Sequence, residues 1–254
     1  MIRLQNLWKS FDGDPVLRGI HLHVPEGKLM YIVGPSGTGK SVLMKHMLGL
    51  LRPDQGKVLV QGVDVAGLGS KEFASYRRKF GMLFQNSALF DDFSVFDNVA
   101  FPLREHTTLS EDEIGKKVVA ALSRFGMDQG YEKLPAELSG GMRKRVGIAR
   151  AIVCDPQILL FDEPTTGLDP VTRHMVDDLI LDAKHQLNVT SVVISHDIGS
   201  ALMLADELAF LYQGEIVFAG SASDFVACPH PELQRFLEAE RRSARVFQEG
   251  GLCP

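Results

Sequence analysis

The chain has 254 residues, of which 45% are hydrophobic and 23% are charged, and its formal net charge is −5. At roughly 150 residues per domain this length corresponds to about 1.7 domains, so we expect one large domain or a core with an insertion. The hydrophobic content excludes a disordered chain and a small disulfide-held protein. The acidic balance argues against a protein that binds nucleic acid.

Signals for export or membrane insertion are not found in the sequence. The N-terminal residues lack the apolar run of a secretory signal, and no uncharged apolar stretch approaches the roughly 18 residues of a membrane span. The three cysteines are widely spaced and form no Cys-x-x-Cys pair, which suits a reducing compartment and argues against structural zinc. We therefore expect a soluble, cytoplasmic, globular protein.

Predicted strands and helices alternate along the chain. Ile20, Leu22 and Val24 alternate with polar residues as in a half-buried strand, and residues 29–33 form an apolar run typical of a buried strand. The spacing of apolar residues predicts a helix over 40–51. Further predicted elements are strands at 58–60, 80–84, 158–161 and 191–195, a mostly helical region over 88–153, and a hairpin of strands 208–212 and 215–218. This alternation predicts an α/β fold with a mainly parallel sheet.

A glycine-rich loop that matches GxxxxGK[ST] separates strand 29–33 from the next helix: Gly34-Pro35-Ser36-Gly37-Thr38-Gly39-Lys40-Ser41, followed by Val42. The glycines let backbone N–H groups turn toward phosphates, and the helix N-terminus adds positive potential. Lys40 is placed to reach the β- and γ-phosphates, and the Ser41 hydroxyl to bind Mg²⁺. The strand–loop–helix context favours this phosphate loop over a glycine-rich turn that binds nothing.

Two acidic residues follow another buried strand. Asp162 and Glu163 come directly after the apolar residues 158–161, which places them at the carboxyl edge of the sheet, where α/β folds bind ligands. We expect Asp162 to bind Mg²⁺ and Glu163 to accept a proton from an attacking water. Without the phosphate loop, residues 158–163 would indicate only a strand followed by two solvated acids in a loop.

A Leu-Ser-Gly-Gly-Met segment, residues 138–142, precedes an amphipathic helix whose apolar face excludes the basic run 143–145. Ser139 alone would indicate a helix N-cap, but it lies 23 residues before Asp162. With the phosphate loop and the acidic pair, this signature segment makes residues 1–220 resemble the ATP-binding cassette (ABC) ATPase family. Met142 departs from the glutamine usual in that family, and we expect activity to survive this change.

The resemblance implies a role for each matching residue. Phe11 would stack on adenine, whereas Trp8 would serve in packing. Gln85 would reach Mg²⁺ and couple to a partner, and His196 would contact the γ-phosphate. The residues expected to reach a nucleotide held by the opposite subunit, or to form the loop beside it, are Ser139, Gly140, Gly141 and Asp169. Because one chain then supplies complementary halves of two sites, a dimer of cassettes is implied.

The family resemblance also implies the fold and its division. We expect a P-loop NTPase (RecA-like) core with a mainly parallel sheet, N-terminal antiparallel strands and an inserted helical subdomain. The predicted boundaries are 1–87 and 154–220 for the nucleotide-binding core, 88–153 for the helical subdomain with the signature segment, and 221–254 for a C-terminal helical extension. Leu233, Phe236 and Leu237 on that extension would pack on a neighbouring subunit or on their own domain.

Phenylalanines are concentrated between residues 84 and 101. Phe90, Phe93, Phe96 and Phe101 would form either a groove for an amphipathic helix of a membrane partner or the core of the helical subdomain. Residues 83–90 and 95–105 resemble the cassettes of bacterial MCE-associated phospholipid transport systems, and residues 231–237 add to that likeness.

This second resemblance implies an ATPase subunit that energises phospholipid transport and helps maintain lipid asymmetry in the cell envelope. The implied cofactors are ATP and Mg²⁺. The implied partners are a second cassette, an integral membrane permease and an MCE-type lipid-binding subunit, with no nucleic acid. The implied location is peripheral, on the cytoplasmic face of the bacterial inner membrane. The alternatives are an ABC ATPase for another cargo and a non-transport cassette, such as one acting in cell division.

Overall fold

The computed structural model describes residues 1–239. Its strands are β1 (Ile2–Phe11), β2 (Asp14–Val24), β3 (Leu29–Val33), β4 (Gln55–Val60), β5 (Val63–Asp64), β6 (Phe80–Leu83), β7 (Ile158–Asp162), β8 (Thr190–Ser195), β9 (Glu207–Tyr212) and β10 (Glu215–Gly220). Its helices are α1 (Lys40–Met47), α2 (Ser70–Arg77), α3 (Val95–His106), α4 (Glu111–Arg124), α5 (Gly140–Ile152), α6 (Pro170–Leu187), α7 (Ile198–Leu204) and α8 (Ala222–Ala227). A further helical segment occupies 231–239.

A six-stranded sheet with the order β10-β9-β3-β8-β7-β6 forms the centre of the fold. All its pairs are parallel except the hairpin of β9 and β10. Every residue of β3 and β8 is buried, as expected for strands covered on both faces. Val33 pairs with Ser195 and Asp162 with Ile194, so the strands β3, β7 and β8 end at the same edge.

A four-stranded antiparallel sheet with the order β2-β1-β4-β5 packs beside this centre. Alternate residues of β1 and β2, such as Ile2, Leu4, Ile20 and Leu22, are buried, while their neighbours face outward. The buried residues share one apolar cluster with α1 and with one face of the central sheet. The N-terminal sheet therefore holds α1, which follows the phosphate loop, against the centre of the fold.

The helices α3, α4 and α5 pack on one another at the other side of the central sheet. Ser94 caps α3, and Ser110 with Glu113 forms a capping box at the start of α4. Their apolar faces join a second cluster, which includes Val99, Val118 and Val146 and extends to Leu233 and Leu237 of the terminal segment. The terminal helix thus packs on its own domain.

The predicted α/β fold with a mainly parallel sheet and N-terminal antiparallel strands is confirmed. The predicted strand 29–33 matches β3, and the other predicted strands lie within the observed ones, except that 80–84 runs one residue past the end of β6. The helix predicted over 40–51 is too long, because Gly49 adopts a φ of +68° and the helix ends at Met47. The domain boundaries stay a prediction, and residues 240–254 of the extension lie outside the described part.

The basic run after the signature segment was expected to lie off the apolar face of its helix. Lying off that face does not expose Lys144, which is only 4% exposed. Its ammonium group donates a hydrogen bond to the backbone carbonyl of Gln85, which compensates for the loss of water. Within residues 1–239 no helix has the length and apolar character needed to cross a membrane.

Candidate nucleotide-binding site

The phosphate loop lines a cavity of about 600 Å³ at the carboxyl edge of the central sheet. Gly34 has a φ of +156°, and a Cβ there would lie 2.1 Å from the carbonyl oxygen of Leu211, so the loop leaves β3 at a point where only glycine fits. We call this space the nucleotide cavity. Its lining residues are Val16, Pro35, Ser36, Gly37, Gly39, Lys40, Ser41, Val42, Gln85, Glu163, Thr166, His196 and Phe236.

Lys40 lies at the centre of the phosphate loop and is only 6% exposed. Its ammonium group donates to the carbonyl oxygens of Gly34, at 2.8 Å, and Pro35, at 2.9 Å. The Glu163 carboxylate is 3.9 Å away. Burial lowers the pKa of Lys40, while Glu163 and Asp162 oppose that change. A phosphate in the cavity would give this buried cation an anionic partner.

Ser41 and Asp162 meet at one side of the cavity. The Ser41 hydroxyl donates to the Asp162 carboxylate over 3.4 Å. Burial raises the pKa of Asp162, and the hydrogen bond from Ser41 only partly opposes this. A divalent cation beside Asp162 would stabilise the ionised carboxylate, and the two side chains together offer oxygen ligands of the kind that Mg²⁺ prefers. These residues therefore fit a magnesium ion.

Glu163 is held in an unusual conformation one residue after β7. Its φ is +47°, which costs free energy in a residue other than glycine. Its N–H donates to the Ile194 carbonyl over 2.9 Å, and its carboxylate accepts from the Thr166 hydroxyl at 2.9 Å and from His196 Nδ1 at 2.7 Å. An ionised carboxylate only accepts hydrogen bonds, so Nδ1 carries the proton. Thr166 in the loop after β7 and two residues at the end of β8 thus fix this carboxylate in the cavity.

The signature segment lines a separate cavity of about 550 Å³. We call it the signature cavity; its lining residues are Ser139, Gly140, Gly141, Met142, Arg145, Gly167, Leu168, Asp169, Thr172 and Met175. Ser139 caps α5 by accepting from the Met142 N–H, and Asp169 caps α6 by accepting from two backbone N–H groups. The N-termini of two helices meet at this cavity; that of α6 already carries the Asp169 carboxylate, whereas that of α5 has no acidic residue in its first turn and favours an anion.

The described residues thus line two separate cavities. No residue between 1 and 239 that lines the nucleotide cavity also lines the signature cavity. Gln85, Glu163 and His196 are brought together with the phosphate loop, as the sequence predicts. Phe11 is not part of this lining; its ring is 41% exposed, with the Lys9 ammonium 5.5 Å from the ring centre.

A family profile described as ABC transporter matches residues 17–166. The chain belongs to the ABC transporter family. The cassette is 39% identical to the "Intermembrane phospholipid transport system ATP-binding protein MlaF" of Haemophilus influenzae, over 94% of this chain and 91% of that protein. It is 40% identical to the "Probable ribonucleotide transport ATP-binding protein mkl" of Mycobacterium leprae, over 94% of this chain and 69% of that protein.

Two solved structures resemble the fold of the cassette. One is a dimeric, post-hydrolysis state of the ATP-binding cassette MJ0796 bound to ADP and Pi, with 30% identity, a TM-score of 0.79, and coverage of 87% of this chain and 99% of that one. The other is CbiO1 of Clostridium perfringens, part of an ABC transporter complex, with 30% identity, a TM-score of 0.83, and coverage of 99% and 98%. The cassette is therefore an ABC-type ATPase that binds and hydrolyses ATP.

Three residues of the nucleotide cavity were missed by the sequence reasoning. Val16 in β2 and Phe236 in the terminal segment line the cavity from opposite ends of the chain. A local sequence pattern does not predict such long-range contacts. Thr166 donates to Glu163 from three residues further on. This short spacing from the acidic pair was the one signal that the sequence offered.

Proposed function

We propose that the cassette hydrolyses ATP at sites shared between two copies, with Lys40 holding the β- and γ-phosphates and Glu163 accepting a proton from the attacking water. His196 holds the Glu163 carboxylate and reaches the γ-phosphate. The positioning of Glu163 by Thr166 and His196 is the observation that carries this assignment. Further proposed contacts to nucleotide are made by Phe11, Gly34, Pro35, Ser36, Gly37, Thr38, Gly39, Ser41 and Val42.

Magnesium is the cation that we propose for this site, held by Ser41, Asp162 and Gln85 together with nucleotide oxygens. No group of three or more His, Cys, Asp or Glu side chains within residues 1–239 is arranged to hold a metal ion. The nucleotide must then supply part of the coordination, which is the usual situation for Mg²⁺ at phosphates. When bound, the ion would neutralise charge that develops on the phosphates.

A head-to-tail dimer follows from the two half-sites. One cavity offers a buried lysine and a general base, and the other offers capped helix N-termini. Ser139, Gly140 and Gly141 would bind the γ-phosphate of the nucleotide in the opposite copy, with Asp169 in the loop beside it. Two copies related by a two-fold axis would bring the signature cavity of each copy to the nucleotide cavity of the other. Both pairs of cavities are then used in one closed dimer.

A membrane permease is the second partner that we propose. Phe84, Phe90 and Phe101 line an apolar groove of about 300 Å³ that also carries Arg77 and Arg78. The Phe90 ring contacts those of Phe93 and Phe101, whereas Phe96 packs on the apolar cluster beneath. This aromatic groove suits an amphipathic helix with large apolar side chains and an acidic residue.

The buried side chain of Asn98 fixes the edge of this aromatic groove. Its amide group accepts from the N–H of Phe90 at 2.8 Å and donates to the carbonyls of Phe90, Phe93 and Ser94 at 3.0–3.1 Å. A rigid rim lowers the entropy cost of binding a helix. We expect Phe90→Asp to abolish co-purification with the permease and to leave ATP hydrolysis by the isolated cassette unchanged. The matched control is Met203→Asp, at a residue that is 65% exposed on α7.

Phospholipid is the cargo that we propose for the whole transporter, with an MCE-type lipid-binding subunit as a third component. The 39% identity to MlaF, over 94% of this chain and 91% of that protein, supports it. The cassette would then work at the cytoplasmic face of the bacterial inner membrane. The name of the mycobacterial relative, with its similar identity, makes a ribonucleotide the competing cargo.

Mass spectrometry of the complete complex tests the cargo. The cassette is purified with its membrane partners in a lipid-free detergent wash, and bound small molecules are released and identified. Phospholipid retained in proportion to the complex supports the proposal. A ribonucleotide other than ATP or ADP, or another hydrophilic solute, with phospholipid at background level would overturn it. A complex with a cell-division protein in place of a permease would overturn the transport function as well.

A further inference from the structure

Lys144 is a buried cation outside the nucleotide cavity. It lies in the second turn of α5, is 4% exposed, and donates a hydrogen bond from its ammonium group to the carbonyl oxygen of Gln85. Burial lowers its pKa to about 8. Burying a lysine is costly unless its ammonium group has a partner, and the Gln85 carbonyl supplies that partner.

Arg150 makes a second contact of the same kind from the other end of α5. Its guanidinium donates to the carbonyl oxygens of Ser87, at 2.5 Å, and Ala88, at 2.7 Å. Between the two cations, a Cβ on Gly147 would lie 2.7 Å from Leu83 Cδ1 and 3.2 Å from the Ser87 side chain. A side chain at 147 would require Leu83 and Ser87 to shift, so the glycine lets this side of α5 pack closely on residues 85–88.

Segment 85–88 has a strained backbone. Ser87 and Ala88 have φ values of +59° and +44°, and Ser87 is 1% exposed. Such conformations persist where the surroundings determine them more strongly than local preference does. The carbonyl oxygens of Gln85, Ser87 and Ala88 all accept hydrogen bonds from cations on α5. These bonds hold the segment in its strained conformation.

The two ends of this contact belong to different half-sites. The Gln85 side chain lines the nucleotide cavity, whereas Ser139 caps the start of α5 and lines the signature cavity. We propose that Lys144 and Arg150 are positioning residues that clamp segment 85–88 onto α5, so that Gln85 and the signature segment of one chain move as a unit. The clamp rests on the proposed function, because it gives Gln85 its place beside Mg²⁺.

Lys144→Met tests the clamp, because methionine fills a similar volume and removes the donor. We expect kcat for ATP hydrolysis by the purified cassette to fall by about tenfold to 100-fold, since a displaced catalytic group costs about that much. The KM for ATP should change by less than about twofold and the Mg²⁺ requirement should rise, because the phosphate loop is untouched. Lys144→Arg, which keeps a donor, should recover part of kcat.

Amide hydrogen exchange tests, independently of catalysis, whether Lys144 holds segment 85–88 in place. In Lys144→Met the amides of 85–88 should exchange faster, while those of the phosphate loop stay as in the wild type. Lys116→Met, at an exposed residue of α4, is the control and should change neither quantity. If Lys144→Met does not fold, Arg150→Lys is used with the same expectations for exchange at 87–88.

Three results would overturn the proposal. They are an unchanged kcat and Mg²⁺ requirement, unchanged exchange at 85–88, or a loss of activity that tracks a fall in melting temperature alone. A failure of the proposed function would look different: Glu163→Gln would retain turnover, whatever the exchange of 85–88 showed.

Discussion

The nucleotide cavity and the signature cavity differ in how their polar groups are arranged. In the nucleotide cavity, polar groups of different segments face one another: the buried Lys40 and the partly buried Glu163 are 3.9 Å apart, and Glu163 contacts His196. In the signature cavity, Ser139 and Asp169 are turned onto the N-termini of their own helices. In the proposed function the first cavity carries the chemistry and the second binds an anion, so each needs the other.

Glu163→Gln is expected to have the largest effect on this contrast. An amide cannot accept the proton of the attacking water, so kcat should fall by about 10²- to 10⁴-fold. ATP binding should persist, because Lys40 and the loop glycines are retained. Steady-state phosphate release and equilibrium binding of a fluorescent ATP analogue check the two parts. Glu132→Gln, at an exposed loop residue, is the control, and turnover near the wild-type rate in Glu163→Gln would contradict the general-base role.

Phe236→Ala sharpens the comparison from the C-terminal side. The ring lines the nucleotide cavity and lies 5.3 Å from the ring of Phe210. Its removal should lower the free energy of unfolding by about 2 kcal/mol, since the side chain is only partly buried, and raise the KM for ATP by about threefold. Denaturant titration and ATPase kinetics measure these. An unchanged KM would show that Phe236 serves only the packing.

The smallest of these effects is expected on the stability of Asp162→Asn, measured without Mg²⁺ and nucleotide, where its role as a proposed magnesium ligand does not enter. Burial raises the pKa of Asp162 in the folded state, so the folded chain binds this proton more tightly than the unfolded chain. The charged carboxylate therefore destabilises the fold above the folded pKa, and the penalty disappears below the unfolded pKa of about 3.9. Without Mg²⁺ or nucleotide, Asp162→Asn should melt a few degrees higher than wild type at pH 7.

The pH dependence of that difference is the diagnostic part. The advantage of Asp162→Asn should shrink as the pH falls through the folded pKa of Asp162, because the wild-type carboxyl is then neutral too. Asp64→Asn, at the cap of a short helical turn far along the chain, is the comparison variant. An advantage that grows toward low pH would contradict the assigned sign.

The residues near the phosphate loop could be predicted because their signals are local. A buried strand reads as an apolar run, and the loop itself is a fixed motif, so β3, Lys40 and Ser41 follow from consecutive residues. The acids after β7 could be placed because α/β folds bind ligands at the carboxyl edge of the sheet. The resemblance to ABC ATPases then supplied His196, Ser139 and Asp169.

The features that sequence reasoning missed depend on contacts between distant segments. The sequence placed Lys144 only in a basic run off the apolar face of its helix, because the carbonyl that it contacts lies 59 residues earlier in the chain. Phe236 reaches the nucleotide cavity from the far end of the described chain. Helix α6, Pro170–Leu187, was not predicted, because its apolar and polar residues show no clear helical spacing. Such tertiary contacts override local periodicity.

The central claim is that the two cavities of one chain serve different ATP molecules, and sedimentation velocity tests it most directly. The Glu163→Gln cassette with ATP and Mg²⁺ should sediment as a dimer, because nucleotide is bound and not consumed. Adding Ser139→Arg should give a monomer that binds ATP with an affinity within about threefold of the single variant. A double variant that still forms dimers, or a monomer that has lost ATP binding, would contradict the account.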